Sequence, residues 1–166
     1  MKQDVDIVMK FLEGNQMDDY YYINIAYKEA LKAYKKNEVP VGCCIVKDDI
    51  ILARAHNLRE TKRLSLAHAE VEAIRKACKK ANAKFLDGAT IYITLEPCLM
   101  CLGAIIQARI SKVVYSLNEP KFGSIVSIGN TLKDYKLNHT IEVHQGLMED
   151  EVSELMKSFF QELRKK

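Results

Sequence analysis

Two short segments of the chain carry side chains that could hold a metal ion. One is His68-Ala69-Glu70, and the other, further along, is Pro97-Cys98-Leu99-Met100-Cys101. Zinc binds imidazole and thiolate ligands in a tetrahedron, and a catalytic zinc keeps its fourth position for water, whose pKa falls to roughly 7. One histidine and two cysteines leave that position open, and Glu70 remains as a carboxylate that need not bind the metal. The pattern therefore indicates a hydrolytic zinc site.

The second segment is predicted to open a helix. Pro97 suits the first helical position, because its missing N–H group costs nothing there. Cys98 and Cys101 lie three residues apart, so both thiols would project from the same face of the first turn. The positive end of the helix dipole would then favour the thiolate forms.

The first segment is predicted to open another helix. Ser65 is its expected N-cap, and a helix over 67–81 would hold His68 in its first turn. Glu70, two residues on, would point to a different side of that helix from His68. This separation favours a role for Glu70 in moving protons to and from the zinc-bound water.

The hydrophobic pattern predicts an α/β fold of alternating helices and strands. Two apolar runs on either side of Asp48-Asp49 are typical of a hairpin, and the later alternation implies βαβ crossovers in a sheet covered by helices. The predicted strands are 43–47, 50–55, 89–95, 112–117 and 141–143. The predicted helices are one from about 23 to 37, one over 67–81, one over 98–108 and one at the C-terminus. In the second helix the residues predicted to face inward are Ala67, Val71, Ile74 and Cys78. In the C-terminal helix they are Val152, Leu155, Met156, Phe159, Phe160 and Leu163.

Composition favours a single compact domain. The chain has 166 residues, of which 48% are hydrophobic and 28% charged, enough to bury one core. It carries no apolar run long enough to span a bilayer and no signal-peptide pattern, so we expect a cytoplasmic protein. Of its five cysteines, Cys43, Cys44 and Cys78 are expected to be buried reduced thiols, with extra metal ligands or a disulfide as the alternatives.

The formal net charge of +3 does not by itself identify a nucleic-acid-binding protein. Its distribution is more informative. The cluster from Arg59 to Arg63 and the last three residues, 164–166, are expected to contact RNA phosphates. A third cluster, 75–80, is expected to be only the solvated face of a helix.

The two metal-ligand segments together resemble the signature of the zinc-dependent cytidine and adenosine deaminases. Between Met17 and Lys166 the chain is similar to the bacterial tRNA adenosine deaminases, which convert the wobble adenosine of an anticodon to inosine. The segments that carry this resemblance are Glu38-Val39-Pro40-Val41-Gly42, Ala67-His68-Ala69-Glu70, Tyr92-Ile93-Thr94-Leu95-Glu96-Pro97-Cys98, Arg109-Ile110, Val113-Val114-Tyr115, Asn138-His139 and Phe159-Phe160.

The resemblance implies a three-layer α/β/α fold of the cytidine-deaminase type, in which helices flank a central mixed five-stranded sheet. It places a single zinc-dependent deaminase domain at residues 19–166. One Zn²⁺ per chain would be held by His68, Cys98 and Cys101, with Glu70 transferring protons. The implied substrate is a tRNA anticodon stem-loop, and the implied assembly is a homodimer without an organic cofactor.

The resemblance also assigns contacts with the substrate. Asn57 matches the asparagine that hydrogen-bonds the extruded base, and Lys121 belongs to the loop that in this family runs along the anticodon. Arg59 is expected to contact the substrate as part of the basic cluster that follows Asn57. The loop over 118–126 departs from the usual bacterial pattern at three positions, which are Glu119, Phe122 and Val126. Phe122 is predicted to be either a stacking platform for an unstacked nucleotide or an ordinary core residue.

Three other functions fit the same residues. A deaminase of free nucleosides or nucleobases, such as cytidine, cytosine or guanine, would share the metal site. The catalytic subunit of a eukaryotic wobble deaminase would need a degenerate partner chain. A non-catalytic zinc module that binds RNA would fill the fourth metal position with a protein ligand, for which Cys44 and His56 are candidates.

The first 18 residues form an extension of uncertain role outside the family-like region. Val5, Val8, Met9 and Leu12 have helical spacing, and Gly14-Asn15 ends the pattern. An additional helix, a start at Met17 and a mobile tail all remain open.

Overall fold

The computed structural model describes residues 18–134 and 136–166. The helix considered for the N-terminal extension lies outside these residues. The elements run in the order α1 (Asp19–Lys35), β1 (Gly42–Lys47), β2 (Ile50–His56), α2 (Arg59–Lys62), α3 (Ala69–Ala81), β3 (Thr90–Leu95), α4 (Leu99–Gln107), β4 (Lys112–Leu117), α5 (Thr131–Asp134), β5 (Glu142–Gln145) and α6 (Glu149–Arg164).

The strands form one mixed sheet in the order β2-β1-β3-β4-β5. β1 pairs antiparallel with both β2 and β3, whereas β3, β4 and β5 are parallel to one another. The five predicted strands and the mixed sheet are therefore confirmed.

The two faces of the sheet are covered by different helices. Cys43 and Ile45 lie in the cluster that packs under α3 and α4, whereas Cys44 and Val46 lie in the cluster under α1, as the alternation of a strand requires. The ring of Phe159 on α6 contacts Tyr34 at the end of α1, with 5.7 Å between ring centroids, so α6 shares the α1 layer. The predicted three-layer α/β/α arrangement is confirmed.

Gly42 allows α1 to approach β1 closely. A Cβ atom at this position would lie 1.8 Å from the carbonyl oxygen of Ala26 on α1. Only glycine fits here, and its small size lets the start of β1, beside the metal site, lie directly against the helix.

Burial corrects two predicted helix faces. On α6, Val152 and Phe159 are buried as predicted, but Phe160 and Leu163 are 40% and 52% exposed. The predicted stripe is too wide, because one side of this helix faces the sheet layer and the other faces a cleft. On α3, the buried apolar residues are the alanines at 69, 73 and 77, whereas Val71, Ile74 and Cys78 of the predicted inward face are half-buried.

All five cysteines are free thiols in the structure, and Cys43 and Cys44 are buried as expected, whereas Cys78 is partly exposed. No helix within residues 18–134 and 136–166 is long and apolar enough to cross a membrane. The short helices α2 and α5, four residues each, were not predicted from the sequence.

Candidate metal centre and active-site cleft

The three predicted metal ligands meet at one point beyond the carboxyl end of β3. The Nδ1 atom of His68 lies 3.8 Å from Sγ of Cys98 and 3.5 Å from Sγ of Cys101. All three donor atoms lie within 4.8 Å of one another. Residues from the start of α3 and from the start of α4 are thus brought together, as the sequence predicted.

This geometry fits a zinc ion. Zn–N bonds of about 2.0 Å and Zn–S bonds of about 2.3 Å at tetrahedral angles place N and S about 3.6 Å apart, close to both measured separations. A single ring nitrogen carries either one hydrogen or one lone pair, so it cannot form well-aligned hydrogen bonds with two thiols at once. Convergence of both sulfurs on Nδ1 is therefore better explained by a shared cation than by thiol–imidazole hydrogen bonds.

The thiols of Cys98 and Cys101 shift each other's pKa in opposite directions. A hydrogen bond from Cys101 lowers the pKa of Cys98 to about 4, aided by His68, and the same contact raises the pKa of Cys101. One thiolate is thus already favoured, and a divalent cation would displace the remaining proton, because coordinating thiols deprotonate.

Pro97 does not occupy the first helical position, contrary to the prediction. α4 begins at Leu99, with Cys98 as its extended N-cap residue (φ −70°, ψ 171°). The backbone before the helix is held extended because the Pro97 carbonyl accepts hydrogen bonds from Ser124. Cys98 and Cys101 still converge, since the N-cap and the third helical residue lie side by side, as in a capping box.

Ser65 is likewise not the N-cap of α3. The helix begins at Ala69, and His68 is its N-cap residue, with an extended backbone and no side-chain cap of its own. The cap comes instead from Asn57, whose Oδ1 accepts a hydrogen bond from the Ala69 N–H group at 2.9 Å. The Asn57 amide also donates to the carbonyl oxygen of Val39 at 3.1 Å. Asn57 therefore links the end of β2 to the segment just before β1 and to the start of α3 at the metal site.

Glu70 is nearly completely buried and lines the same cleft as His68 and Cys98. Its carboxylate is not part of the three-residue ligand cluster found among the described residues. Burial raises the pKa of Glu70 above its ordinary value. A carboxyl group that holds a proton nearer to neutral pH can both accept and donate one, which suits a general acid and base.

A cleft of about 990 Å³ opens over the ligand cluster. One part of its wall is the 119–127 loop, another is the C-terminal half of α6 from Met156 onward, and the metal ligands His68 and Cys98 also line it. The lining residues are Val39, Val41, Asn57, Arg59, His68, Glu70, Leu95, Glu96, Cys98, Glu119, Pro120, Lys121, Phe122, Met156, Phe160, Leu163 and Arg164.

All four residues predicted to contact the substrate line this cleft, namely Asn57, Arg59, Lys121 and Phe122. Phe122 is 65% exposed, so the alternative of a core residue is wrong. Phe160 lines the same cleft from α6, and the sequence pattern missed it because its helical spacing is the same as that of a core residue.

The basic clusters divide by location. Arg59 and Arg164 line the cleft, but Lys62 forms an ion pair with the buried Glu72 at 2.8 Å. In the third cluster, Lys76 and Lys80 donate hydrogen bonds to carbonyl oxygens of β2, at 3.0 and 2.8 Å. These two lysines cover the carbonyls of an edge strand and are more than a solvated helix face.

The two candidates for a fourth protein ligand lie elsewhere. Cys44 is buried in the cluster under α1, on the other face of the sheet from the metal ligands. His56 is bonded through Nδ1 to Glu29 at 2.7 Å. Neither belongs to the ligand cluster of the described residues, so neither is placed to supply a fourth ligand to an ion held by that cluster.

Comparison with known proteins agrees with this geometry. Residues 17–164 match the model of the MafB19-like deaminase family. The chain is 47% identical over 148 residues to the tRNA-specific adenosine deaminase of Bacillus subtilis (strain 168), covering 89% of this chain and 92% of that protein.

Solved structures have the same fold. One, from work on A-to-I editing by tRNA:A34 deaminases at the wobble position of transfer RNA, superposes with a TM-score of 0.78 at 36% identity and covers 81% of this chain and 98% of that one. A guanine deaminase from Nitrosomonas europaea superposes with a TM-score of 0.74 at 21% identity, covering 84% and 83% of the two chains, and shows the shared fold only. With its ligand cluster, buried glutamate and matching sequence over nearly its whole length, the chain belongs to the family of the tRNA-specific adenosine deaminases.

Proposed function

We propose that this protein hydrolytically deaminates the wobble adenosine of a tRNA anticodon loop to inosine. The observation that carries the proposal is a three-ligand cluster and a separate buried glutamate at the floor of a cleft whose walls carry cationic and aromatic side chains. A free base needs far less room than this cleft of about 990 Å³, whereas an extruded base with its flanking nucleotides would extend along both walls.

A zinc ion held by His68, Cys98 and Cys101 would lower the pKa of a water molecule in the cleft and so supply the nucleophile near neutral pH. Glu70 accepts the proton of that water as its oxygen attacks the purine carbon that bears the exocyclic amine. Glu70 then donates this proton to the ring nitrogen, accepts the remaining proton of the new hydroxyl group as the carbonyl forms, and donates that proton to the exocyclic amine, which leaves as ammonia. Its burial, which raises its pKa, suits it to both directions of transfer.

Asn57 is proposed to select the base. Its Oδ1 and one N–H are engaged by Ala69 and Val39, which leaves one amide hydrogen for an acceptor on an extruded purine. Because the side chain is held from two sides, this hydrogen is fixed in direction before substrate arrives.

Contacts with the rest of the anticodon loop are proposed for the two walls. Arg59, Lys121 and Arg164 would neutralise phosphates, and the exposed rings of Phe122 and Phe160 offer faces on which unpaired bases stack. Phosphate contacts would supply most of the affinity, and contacts to the base would supply the selection.

Metal analysis of the purified protein tests the site. We expect one zinc per chain and, after cobalt substitution, a spectrum of three protein ligands with an exchangeable fourth position. A spectrum of four protein ligands would contradict an open catalytic site.

The direct test of function is incubation with an anticodon stem-loop that carries a wobble adenosine, followed by detection of inosine. The same protein is assayed with free adenosine, cytidine and guanine, and with a stem-loop that carries guanosine at the wobble position. Equal turnover of a free nucleoside or base would favour the small-molecule deaminase instead.

We also propose that two copies of the chain form a homodimer in the cytoplasm, where its tRNA substrate is found. Leu66 and Leu99, which flank the metal ligands in sequence, are 53% and 61% exposed. Exposed apolar side chains that form one contiguous patch are typical of interaction sites. Light scattering of the protein and of a Leu66→Glu, Leu99→Glu variant tests this, since a monomeric wild type would exclude the dimer.

A further inference from the structure

Glu96 is a buried carboxylate with no assigned role in the reaction. It lies between the end of β3 and the metal ligand Cys98, and it is 2% exposed. No basic side chain is bonded to it among the residues that the structure describes, and its partners come from the 119–127 loop.

The loop surrounds both oxygens of this carboxylate with donors. Oε1 accepts hydrogen bonds from the backbone N–H groups of Ile125, Val126 and Ser127, at 3.0, 2.7 and 3.1 Å. Oε2 accepts from the Glu119 N–H group at 3.0 Å and from the Ser127 hydroxyl. Successive N–H groups that converge in this way form a concave site for an anion, here filled by a side chain of the same protein.

The loop is also attached to the metal-ligand segment itself. The Ser124 N–H and hydroxyl both donate to the Pro97 carbonyl at 3.0 Å, and Gly123 forms an antiparallel bridge with Cys98. A Cβ atom at Gly123 would lie 2.2 Å from Oε2 of Glu96 and 2.6 Å from the Glu119 carbonyl oxygen. The loop therefore closes around Glu96 only because residue 123 is glycine.

The part of the loop between these attachments is the wall of the cleft. Lys121 and Phe122 lie between the Glu119 N–H group, bonded at one end, and Gly123 at the other. No other side chain of the described residues accepts as many hydrogen bonds from this loop as Glu96 does. Removing the carboxylate would release the wall while leaving the three metal ligands in place.

We propose that Glu96 is a positioning residue that fixes the 119–127 loop against the metal-ligand segment, so that the RNA-facing wall of the cleft is formed before substrate binds. This inference rests on the proposed function for its kinetic test. Pre-forming the wall reduces the ordering cost of binding, so its loss should weaken substrate binding more than the chemical step.

The first test is Glu96→Gln, which has the same shape but replaces one acceptor oxygen by an NH₂ group facing N–H donors. We expect KM for the anticodon stem-loop to rise roughly 10-fold or more, the factor that one strong hydrogen bond is worth. kcat should fall by less than about 3-fold, and zinc content should remain one per chain. The matched control is Asp19→Asn, because the Asp19 carboxylate accepts hydrogen bonds from Tyr92 and Lys112 at the opposite end of the sheet. The KM of this variant should equal that of the wild type.

Two other variants keep the inference testable if Glu96→Gln does not fold. Ser127→Ala removes one of the five hydrogen bonds and should raise KM by a smaller factor. Gly123→Ala forces a methyl group against the carboxylate and should act like Glu96→Gln. An unchanged KM in zinc-loaded variants, or a loss of kcat alone, would overturn the proposal.

Hydrogen exchange gives a readout that does not depend on the substrate. The amides of 125–127 should lose protection by about 10-fold or more in Glu96→Gln, whereas amides of β4 should not change. If the wild type fails to deaminate the stem-loop but these amides lose protection, the proposed function is wrong and the role of Glu96 stands. If the amides keep their protection, the role of Glu96 is wrong whatever the substrate.

Discussion

Asn57→Ala should both destabilise the protein and stop turnover. Sequence reasoning alone predicts mainly a loss of turnover, because it assigns Asn57 to the substrate. In the structure the side chain is 6% exposed and serves two backbone groups, the Ala69 N–H group and the Val39 carbonyl. Alanine would leave both without a partner at a buried position.

The size of the effect follows from those two groups. Each buried backbone group left unpaired costs about 1–3 kcal/mol, and loss of a helix N-cap alone costs about 1 kcal/mol. We therefore expect the free energy of unfolding to fall by about 2–4 kcal/mol. For a domain of this size that corresponds to a Tm lower by about 5–15 °C.

Asn57→Asp separates the two roles of the side chain. An aspartate still accepts the Ala69 N–H group, and its charge is favourable at the start of α3, but it cannot donate to Val39 or to the base. It should recover about half of the lost stability while remaining as inactive as Asn57→Ala. Urea unfolding and stem-loop deamination are measured on both variants, with Asn24→Ala on α1 as the control that should lose neither. An Asn57→Ala variant with wild-type stability would refute the reasoning.

Three further predictions concern charge. Glu70→Gln should abolish deamination while the zinc content stays at one per chain. Its stability should be unchanged or slightly higher, because a buried ionisable group is replaced by a neutral one. Cys98→Ala, in contrast, should lose zinc, and loss of zinc in Glu70→Gln would make Glu70 a ligand. Replacing Arg59, Lys121 and Arg164 by alanine should weaken stem-loop binding and reduce the slope of log K against log salt concentration by about 2. The control replaces Lys28, Lys35 and Lys79 by alanine; these residues lie outside the cleft, so the same loss of charge should change the slope little. Burial raises the pKa of Glu29, but hydrogen bonds from His56 and Lys32 outweigh it and lower the pKa to about 2. The contribution of the Glu29 carboxylate to the free energy of unfolding is therefore complete above pH 4.5 and is lost as pH falls towards 2. The difference in unfolding free energy between wild type and Glu29→Gln should shrink by about 2 kcal/mol from pH 6 to pH 3, and a constant difference would be the contrary result.

The strands and the metal ligands could be predicted because their signals are local. Strand β4, with Val113, Val114 and Tyr115 at its centre, begins and ends at the predicted residues, since β-branched and aromatic residues favour strands. The types and spacing of His68, Cys98 and Cys101 likewise predict a cluster of metal ligands without knowledge of the fold, and the three side chains do converge. Both helices at the site begin later than predicted, because their starts are set by distant partners, namely Asn57 for α3 and Ser124 for the segment before α4. No pattern within either segment reports those contacts.

The C-terminal helix shows why periodicity cannot separate a core from a binding surface. Val152 and Phe159 enter the core, whereas Phe160 and Leu163 are exposed at the cleft, although all four belong to one apolar stripe. An apolar stripe wider than the sheet can cover leaves side chains that have no partner within the chain. Here the excess lines the same cleft as Phe122, and under the proposed function the exposed rings of Phe122 and Phe160 would stack on unpaired bases of the RNA loop. The apolar residues of this helix that the core does not bury are thus available to a ligand in the cleft.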